Sequence, residues 1–402
     1  MDSVAKIDPT LWKPSAESRK VFDSLGHEAV RFVGGFVRNS FLGIGSSDAD
    51  LATLHQPDEV TRRLTGAGIK VVPTGIDHGT VTAVAGGIPF EITTLRRDVE
   101  TDGRHAVVAY STDWAEDARR RDFTMNTLLA DFDGNVFDPT GQGISDLKAG
   151  RVVFVGEPAQ RIAEDYLRIL RFFRFHALYG RGAPDAAALD ACRSAAAQIS
   201  TLSRERIMQE MRKIIALAEP VSILDLMRAS TVMTDFFHPG YLSDNLKTLS
   251  RMQTELDAVS VEARLFILSG GDENHRAVLD KYFVFSREQA RNLETLFIAV
   301  GTPCGVKERL YRFGRVIALQ SILVMAAMQD EVIPGEVIDV LQNWPVPVLP
   351  LSGEDLKDLG IAPGPQMGDI LRAVEKWWIA ADFTPGRDEC RDQAKSIKLF
   401  QA

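Results

Sequence analysis

The stretch "VRFVGGFVRNSFLGIGSSDADLAT", residues 30–53, holds two adjacent glycines, an arginine three residues beyond them and two aspartates separated by one residue, all within otherwise core-like sequence. The apolar run Val30–Val33 reads as a strand and "FVRNSFLG" as a helix. A strand that ends in Gly34-Gly35 and runs into a helix presents backbone N–H groups where the helix dipole also favours an anion. Arg38, on the first turn, adds a charge-assisted fork. Residues i and i+2 of an extended segment project to the same side, so Asp48 and Asp50 bring two carboxylates together. Like charges that close repel unless a cation joins them, and hard oxygen donors with open positions suit Mg²⁺. Alone, the glycine pair is more simply a turn and "SSDAD" a polar loop. In succession they read as a phosphate turn followed by a metal pair.

Composition bounds what surrounds this stretch. A chain of 402 residues is too long for one compact core and implies two to four domains. No apolar run is expected to span a bilayer, and "MDSVAKIDPTLWKPSAES" lacks the order of a secretion signal. Cys192, Cys304 and Cys390 are far apart and odd in number, which argues against disulfides and structural zinc and for a reducing, cytoplasmic setting. The net charge of −9 argues against a general nucleic-acid coating, so any nucleic acid must be held by a local basic surface.

Up to about Gly150 the chain alternates short apolar segments with Gly, Asp and Thr: "IKVVPTG", "TVTAVAGGIPFEITTL" and "TLLADFDGNVFDPT" read as strands and hairpins, with Asp133-Gly134 at a turn. After Arg161 the pattern becomes helical. "RIAEDYLRILRFFRFHALYG" puts Ile162, Tyr166, Ile169 and Phe173 on one face, and "SRERIMQEMRKIIALAEP" repeats the theme with Ser203 as its N-cap. A proline-rich break, "NWPVPVLPLSG", precedes the last helical stretch. The expected fold is α+β: a mixed-sheet head over 1–150, then an elongated all-α remainder with a neck over 151–220, a body over 221–342 and a tail over 343–402.

Three further groups of residues suit the same chemistry. Glu91, in "PFEITTLRRD", lies on a strand-like segment that can pair beside the aspartates. Arg121, Asp122 and Asn126, in "RRRDFTMNTLLAD", combine a carboxylate that accepts from hydroxyls with an arginine that pairs with phosphate. In isolation that segment is a charged helix start. In "EDYLRILRFFRF", Glu164, Arg168 and Arg171 follow the i, i+4, i+7 row, with Asp165 beside them, so one helix would carry them on a shared polar face. A surface lattice of ion pairs is the plain account. With the upstream motifs, Asp165 as acceptor and Arg168 as donor complement a base edge that offers an amino group beside a ring nitrogen, as cytosine and adenine do. Guanine and uracil present the reverse order and would leave both groups mispaired. Phe172, Phe173 and Phe175 read as core, with one able to stack on a base.

These segments, in this order and spacing, resemble the class II tRNA nucleotidyltransferases, which build the CCA end of tRNA and have bacterial poly(A) polymerases as close relatives. The resemblance runs from about Ala29 to Phe175 through "VGGFVRNSFLG" with "DADLAT", "PTGIDHGTVT", "RRRDFTMNTLLAD" and "EDYLRILRFFRF", and more loosely through "LSGEDLKDLGIAPGPQMGDIL". Asn39 stands where the family usually has Asp, and Thr127 where it usually has Ala.

The resemblance implies a polymerase beta-like nucleotidyltransferase head and template-independent transfer from CTP and ATP to the tRNA 3′ end. It implies that Asp48 and Asp50 bind two Mg²⁺ ions with Glu91 as a third carboxylate, and that Gly34, Gly35 and Arg38 hold the triphosphate. Arg121, Asp122 and Asn126 would handle ribose and phosphates, and Arg171 and Arg174 would be the remaining nucleotide-binding arginines.

"RRDVETDGRHAVVAYSTDWAED" looks like the family's flexible loop, needed for the switch from C to A addition, and the tail would contact tRNA. The chain has no His-Asp dipeptide of an appended phosphohydrolase domain, and no membrane or obligate protein partner is expected. Two alternatives stay open: a poly(A) polymerase, although "VVPTGIDHGTVTAV" lacks the basic segment of those relatives, and a noncatalytic RNA-binding protein on this fold.

Overall fold

The computed structural model describes residues 1–45, 49–76, 79–102 and 105–401, in two compact units, Met1–Asp235 and Phe236–Ala402. The first unit begins with β1 (Ala5–Lys6), α1 (Ala16–Leu25), β2 (Val30–Val33), α2 (Gly35–Phe41), β3 (Leu51–Thr53) and α3 (Pro57–Gly66). Strands β4 (Lys70–Gly75), β5 (Thr80–Ala85), β6 (Ile88–Thr94), β7 (Arg96–Asp102) and β8 (His105–Tyr110) follow. Helix α4 (Trp114–Arg119) leads to β9 (Leu129–Ala130) and β10 (Asn135–Phe137). Among the described residues, eight strands form one mixed sheet in the order β1-β10-β9-β2-β3-β6-β5-β4, and β7 pairs with β8 separately.

The hairpins follow from local chemistry. Strand β5 alternates half-buried and buried positions, and Gly86-Gly87, both at positive φ (58° and 83°), close a two-residue turn into β6 with Ala85 opposite Ile88. The turn at Asp133-Gly134 is organised from Asp131, whose carboxylate accepts from the amides of Asp133 (2.9 Å) and Asn135 (2.9 Å). The sheet's core is aromatic: Phe22, Phe32, Phe36 and Phe132 pack together, and Trp12 lies edge-on to Phe32 with its indole N–H donated to the Phe132 carbonyl.

The rest of this unit is helical: α5 (Gly143–Ala149), α6 (Pro158–Glu164), α7 (Leu167–Tyr179), α8 (Ala186–Ala195), α9 (Arg204–Ile215) and α10 (Val221–Ala229). Here one expectation is corrected. "RIAEDYLRILRFFRFHALYG" is not a single helix, because Asp165 is extended (φ −158°, ψ 105°) and its carboxylate accepts from the Leu167 amide (3.1 Å), starting a new helix instead of continuing the old one. Ser203 does sit at the N-cap of α9, but its side chain makes no capping hydrogen bond.

The second unit is helical among the described residues, and the proline-rich segment after Gly335–Asn343 separates it from helices Gly353–Asp358, Pro365–Ala380 and Arg387–Gln401. One of its helices, Val306–Gln329, is long and apolar enough by length and composition to cross a membrane, contrary to the sequence expectation. Gly314 (φ 74°) interrupts it, and Arg309, Gln320 and Ser321 are buried within it, which suits a core helix. Arg264, Gln253 and Gln320 form a buried polar chain there (2.7 and 2.8 Å). A separate cluster of Leu356, Ile370, Val374 and Trp378 organises the C-terminal helices.

Candidate active site

The glycine turn is fixed by its neighbours in the sheet. Gly34 has φ 63° and ψ −125°, a conformation open essentially only to glycine, and it is the residue before α2. The Val33 amide donates to the Asp50 carbonyl (3.0 Å), so the turn and the end of the aspartate segment lie side by side. Helix α2 has only seven residues, which leaves a modest dipole, so an anion at this turn would depend on side chains. Arg121 and Arg38 provide them: a β-carbon at Gly34 would stand 3.7 Å from Arg121 Nη1, and one at Gly35 would stand 3.6 Å from Arg38 Nη2.

The sheet also aligns carboxylates. Strands β3 and β6 run parallel with Leu51 opposite Ile92, so one residue earlier in that register Asp50 stands beside Glu91. Both are exposed, and Asp50 borders the cavity described next, whereas Glu91 does not. Asp48 lies outside the described residues. The oxygen donors that are described suit a hard divalent cation.

A cavity of about 410 Å³ opens at this point. Gly34, Gly35, Arg38 and Asp50 line it from the sheet side, and Arg121, Asp122, Asn126, Arg168 and Arg171 line it from the segments that follow. Arg120, which the sequence did not single out, and Phe175, which reads there as core, also line it. Five arginines against two aspartates make the cavity strongly cationic.

Each arginine is held. Arg38 is buried and donates to Asn126 Oδ1, to Asn39 Oδ1 (3.1 and 3.0 Å) and to the Tyr179 hydroxyl (2.7 Å). These partners are neutral, so its charge stays largely uncompensated. Burial pushes its pKa below the ordinary value, against the raising effect of Tyr179 and Asp122. The Asn39 side-chain oxygen thus serves the acceptor role at that position, and it also receives the Tyr179 hydroxyl (3.1 Å). Thr127 is buried and its hydroxyl is donated to the Thr124 carbonyl (2.7 Å).

Asp122, 7% exposed, accepts a fork from Arg171 (2.8 and 2.5 Å), the Phe123 amide (2.8 Å) and Asn126 Nδ2 (2.8 Å). Burial acts to raise its pKa, but Arg171 and the other donors outweigh it and hold the carboxyl below its usual range. Guanidinium carbons of Arg38, Arg171 and Arg174 stand 5.1, 5.6 and 4.7 Å from the Phe175 ring centre. The sequence signal for Phe175 is its position one residue after Arg174; its orientation toward the cavity is not legible there.

The break at Asp165 rearranges the expected polar face. Arg168 donates to Glu164 (2.6 Å), to the Arg161 carbonyl (2.8 Å) and to the Arg120 carbonyl (3.2 Å). Asp165 instead pairs with Arg206 of α9 (2.7 Å), and Arg174 pairs with the buried Glu210 of the same helix (2.6 Å). Arg168 and Arg171 border the cavity, while Glu164, Asp165 and Arg174 are not among the residues that line it.

Known proteins resemble this chain over nearly its whole length. Residues 30–153 match the family described as "Poly A polymerase head domain", and residues 184–243 match "Probable RNA and SrmB- binding site of polymerase A". The mouse protein named "CCA tRNA nucleotidyltransferase 1, mitochondrial" is 33% identical over 396 residues, covering 92% of this chain and 87% of the mouse protein. The chain belongs to the CCA tRNA nucleotidyltransferase family. A further family member, the "CCA-adding enzyme" of Bacillus cytotoxicus, is 30% identical over 367 residues, covering 87% of this chain and 90% of that protein.

The fold is also that of the family. The crystal structure of the Bacillus stearothermophilus CCA-adding enzyme in complex with CTP superposes with a TM-score of 0.75 at 24% identity, covering 91% of this chain and 93% of that one. The Thermotoga maritima CCA-adding enzyme complexed with tRNA_CCA gives 0.69 at 18% identity, covering 98% and 99%. The mixed-sheet head followed by helices, expected from the sequence, is the architecture found.

Proposed function

We propose that this chain adds C, C and A in turn to the 3′ end of tRNA from CTP and ATP, without a nucleic-acid template, and releases pyrophosphate at each step. The observation that supports this reading most directly is the cationic cavity with Asp50 at its rim, beside a glycine turn that admits close approach of a phosphate. Gly34, Gly35, Arg38 and Arg121 hold the triphosphate. Asp122 orients Arg171, and Asn126 orients Arg38, so that guanidinium donors meet phosphate and ribose oxygens already aligned. The RNA 3′ hydroxyl approaches the α-phosphorus from the side of Asp50 and displaces pyrophosphate toward the arginines.

Asp48 and Asp50, with Glu91 adjacent in the register, are the residues that would hold Mg²⁺. When bound, Mg²⁺ supplies charge stabilisation at the attacking and leaving oxygens.

Base choice rests on Asp165 and Arg168. Each engages protein groups here, and each retains hydrogen-bonding capacity for a cytosine or adenine edge: a second lone pair on each Asp165 oxygen and the remaining Arg168 N–H groups. Residues 151–220 serve as the neck that carries this selector, 221–342 as the body, and 343–402 as a tail that contacts the tRNA. A cytoplasmic setting accords with three free cysteines, and the mouse relative is a mitochondrial protein.

The test is incorporation into a tRNA transcript that ends at the discriminator base, with Mg²⁺ and CTP alone, ATP alone or both. Two additions from CTP and a third only when ATP is present are expected. A long ladder from ATP alone would make the chain a poly(A) polymerase, and no incorporation would reduce the site to a binding surface.

A further inference from the structure

One buried carboxylate borders the site without entering it. Asp117 lies on α4, 2% exposed, and each of its oxygens is given to a different arginine. Oδ1 accepts from Arg120 Nε (2.8 Å) and Nη2 (2.7 Å), and Oδ2 accepts from Arg121 Nη2 (3.0 Å) and, more weakly, Nε (3.3 Å). Both guanidiniums thus present the same Nε/Nη2 edge to one carboxylate. Arg121 then directs Nη1 to the glycine turn, 3.7 Å from where a β-carbon of Gly34 would sit. Arg120 and Arg121 are also largely enclosed, with side chains 17% and 18% exposed, and both line the cavity.

The charge balance decides what this clamp is for. A single carboxylate cannot neutralise two guanidiniums, so the trio carries one net positive charge in a place where water is mostly excluded. Two cations side by side repel, and without the shared anion each would turn toward solvent. Asp117 therefore fixes their direction while leaving the excess charge for a ligand. If the only purpose were to neutralise a buried arginine, one partner would suffice. A guanidinium planted by one edge and open at the other matches a non-bridging phosphate oxygen.

We infer that Asp117 is a positioning residue that holds Arg120 and Arg121 together as a paired receptor for the polyphosphate of the incoming nucleotide, with Arg120 a phosphate-binding residue alongside Arg121. The inference rests on the nucleotide-binding reading of the cavity above. Its consequence is selective: losing the clamp weakens recognition of the triphosphate and leaves recognition of the base and sugar in place.

The experiment is calorimetric titration of the full chain with CTP and with CMP, in Mg²⁺ and without tRNA, so that no turnover occurs. Asp117→Asn keeps the side chain's size and removes its charge. It is expected to weaken CTP binding about tenfold, as for the loss of a charge-assisted contact, with CMP binding changed by less than about twofold. Asp117→Glu restores the charge and is expected to recover part of the CTP affinity. Arg120→Gln, which leaves the Asp117–Arg121 pair intact, is expected to weaken CTP about fivefold to tenfold and carries the test should Asp117→Asn fail to fold.

A purely structural Asp117 would lower the melting temperature and leave the CTP-to-CMP ratio unchanged; that result, or unchanged CTP binding in Arg120→Gln, overturns the inference. Arg121→Gln separates the two levels. If it too leaves CTP binding unchanged, the nucleotide site itself has been misread. If it weakens CTP while Asp117→Asn and Arg120→Gln do not, only the clamp is wrong.

Discussion

Asp122→Asn is the substitution for which the structure gives the clearest magnitude. The carboxylate is buried and accepts four hydrogen bonds, two from Arg171 on Oδ2 and one each from the Phe123 amide and Asn126 on Oδ1. Asparagine has the same shape, no charge and one acceptor oxygen. Whichever way the amide turns, its NH₂ meets donors, so two of the four bonds are lost and Arg171 loses the carboxylate it is paired with, keeping only the weaker influence of Glu210 and Asp165. Two charge-assisted bonds at roughly 1.5–3 kcal/mol each, and the usual cost of breaking a buried pair, place the loss at about 3–5 kcal/mol. For a unit of this size that is a fall in melting temperature of about 6–20 °C.

Differential scanning calorimetry of the full chain measures it, and a double-mutant cycle with Arg171→Gln isolates the pair. A fall below about 3 °C, or a coupling below about 0.5 kcal/mol, would refute the reasoning. The pH dependence supplies a second check. Because the donors hold the Asp122 pKa below its unfolded value, the stabilisation is full above about pH 4 and is lost as pH falls through the lower folded value, and Asp122→Asn should lack this step.

Other outcomes follow from single features of the site. Gly34→Ala forces a side chain into φ 63°, ψ −125°, at a cost of about 1–3 kcal/mol, and should lower both melting temperature and CTP affinity; an unchanged CTP KM would remove the turn from the phosphate site. Asp50→Ala should abolish incorporation at any Mg²⁺ concentration without shifting the melting temperature by more than about 2 °C, since the residue is exposed; retained incorporation would sink its metal role. Asp165→Ala should admit UTP or GTP in the incorporation assay, and strict C and A selection in that variant would place base choice elsewhere. Burial lowers the His176 pKa, so the folded chain should lose stability as pH falls from about 6.5 through the lower folded value; His176→Gln should flatten that part of a melting-temperature profile, and an unaltered profile would show that His176 does not set it.

Much of the site is written in short-range patterns of the chain. Alternating apolar and polar residues mark β5 and β6, a glycine pair marks the turn after β2, and the residue types of "RRRDFTMNT" and "EDYLRILRFFRF" name most of the cavity's cations. Such features depend on neighbours a few residues away, which periodicity and turn chemistry encode. Contacts between distant segments decide the rest, and no short-range pattern carries them. Arg38 meets Asn126 across 88 residues and Arg171 meets Asp122 across 49. The alignment of Asp50 with Glu91 exists only because β3 and β6 pair in parallel.

Even the helix expected to run unbroken through Asp165 was a tertiary decision. Its polar row satisfies the helical spacing, and the Asp165 bond to the Leu167 amide is local, but Asp165 gains Arg206, and Arg168 gains the Arg120 carbonyl, only once the chain is folded. Spacing lists which charges are available; the three-dimensional packing chooses their partners, because a buried charge is stable only where a complementary group meets it.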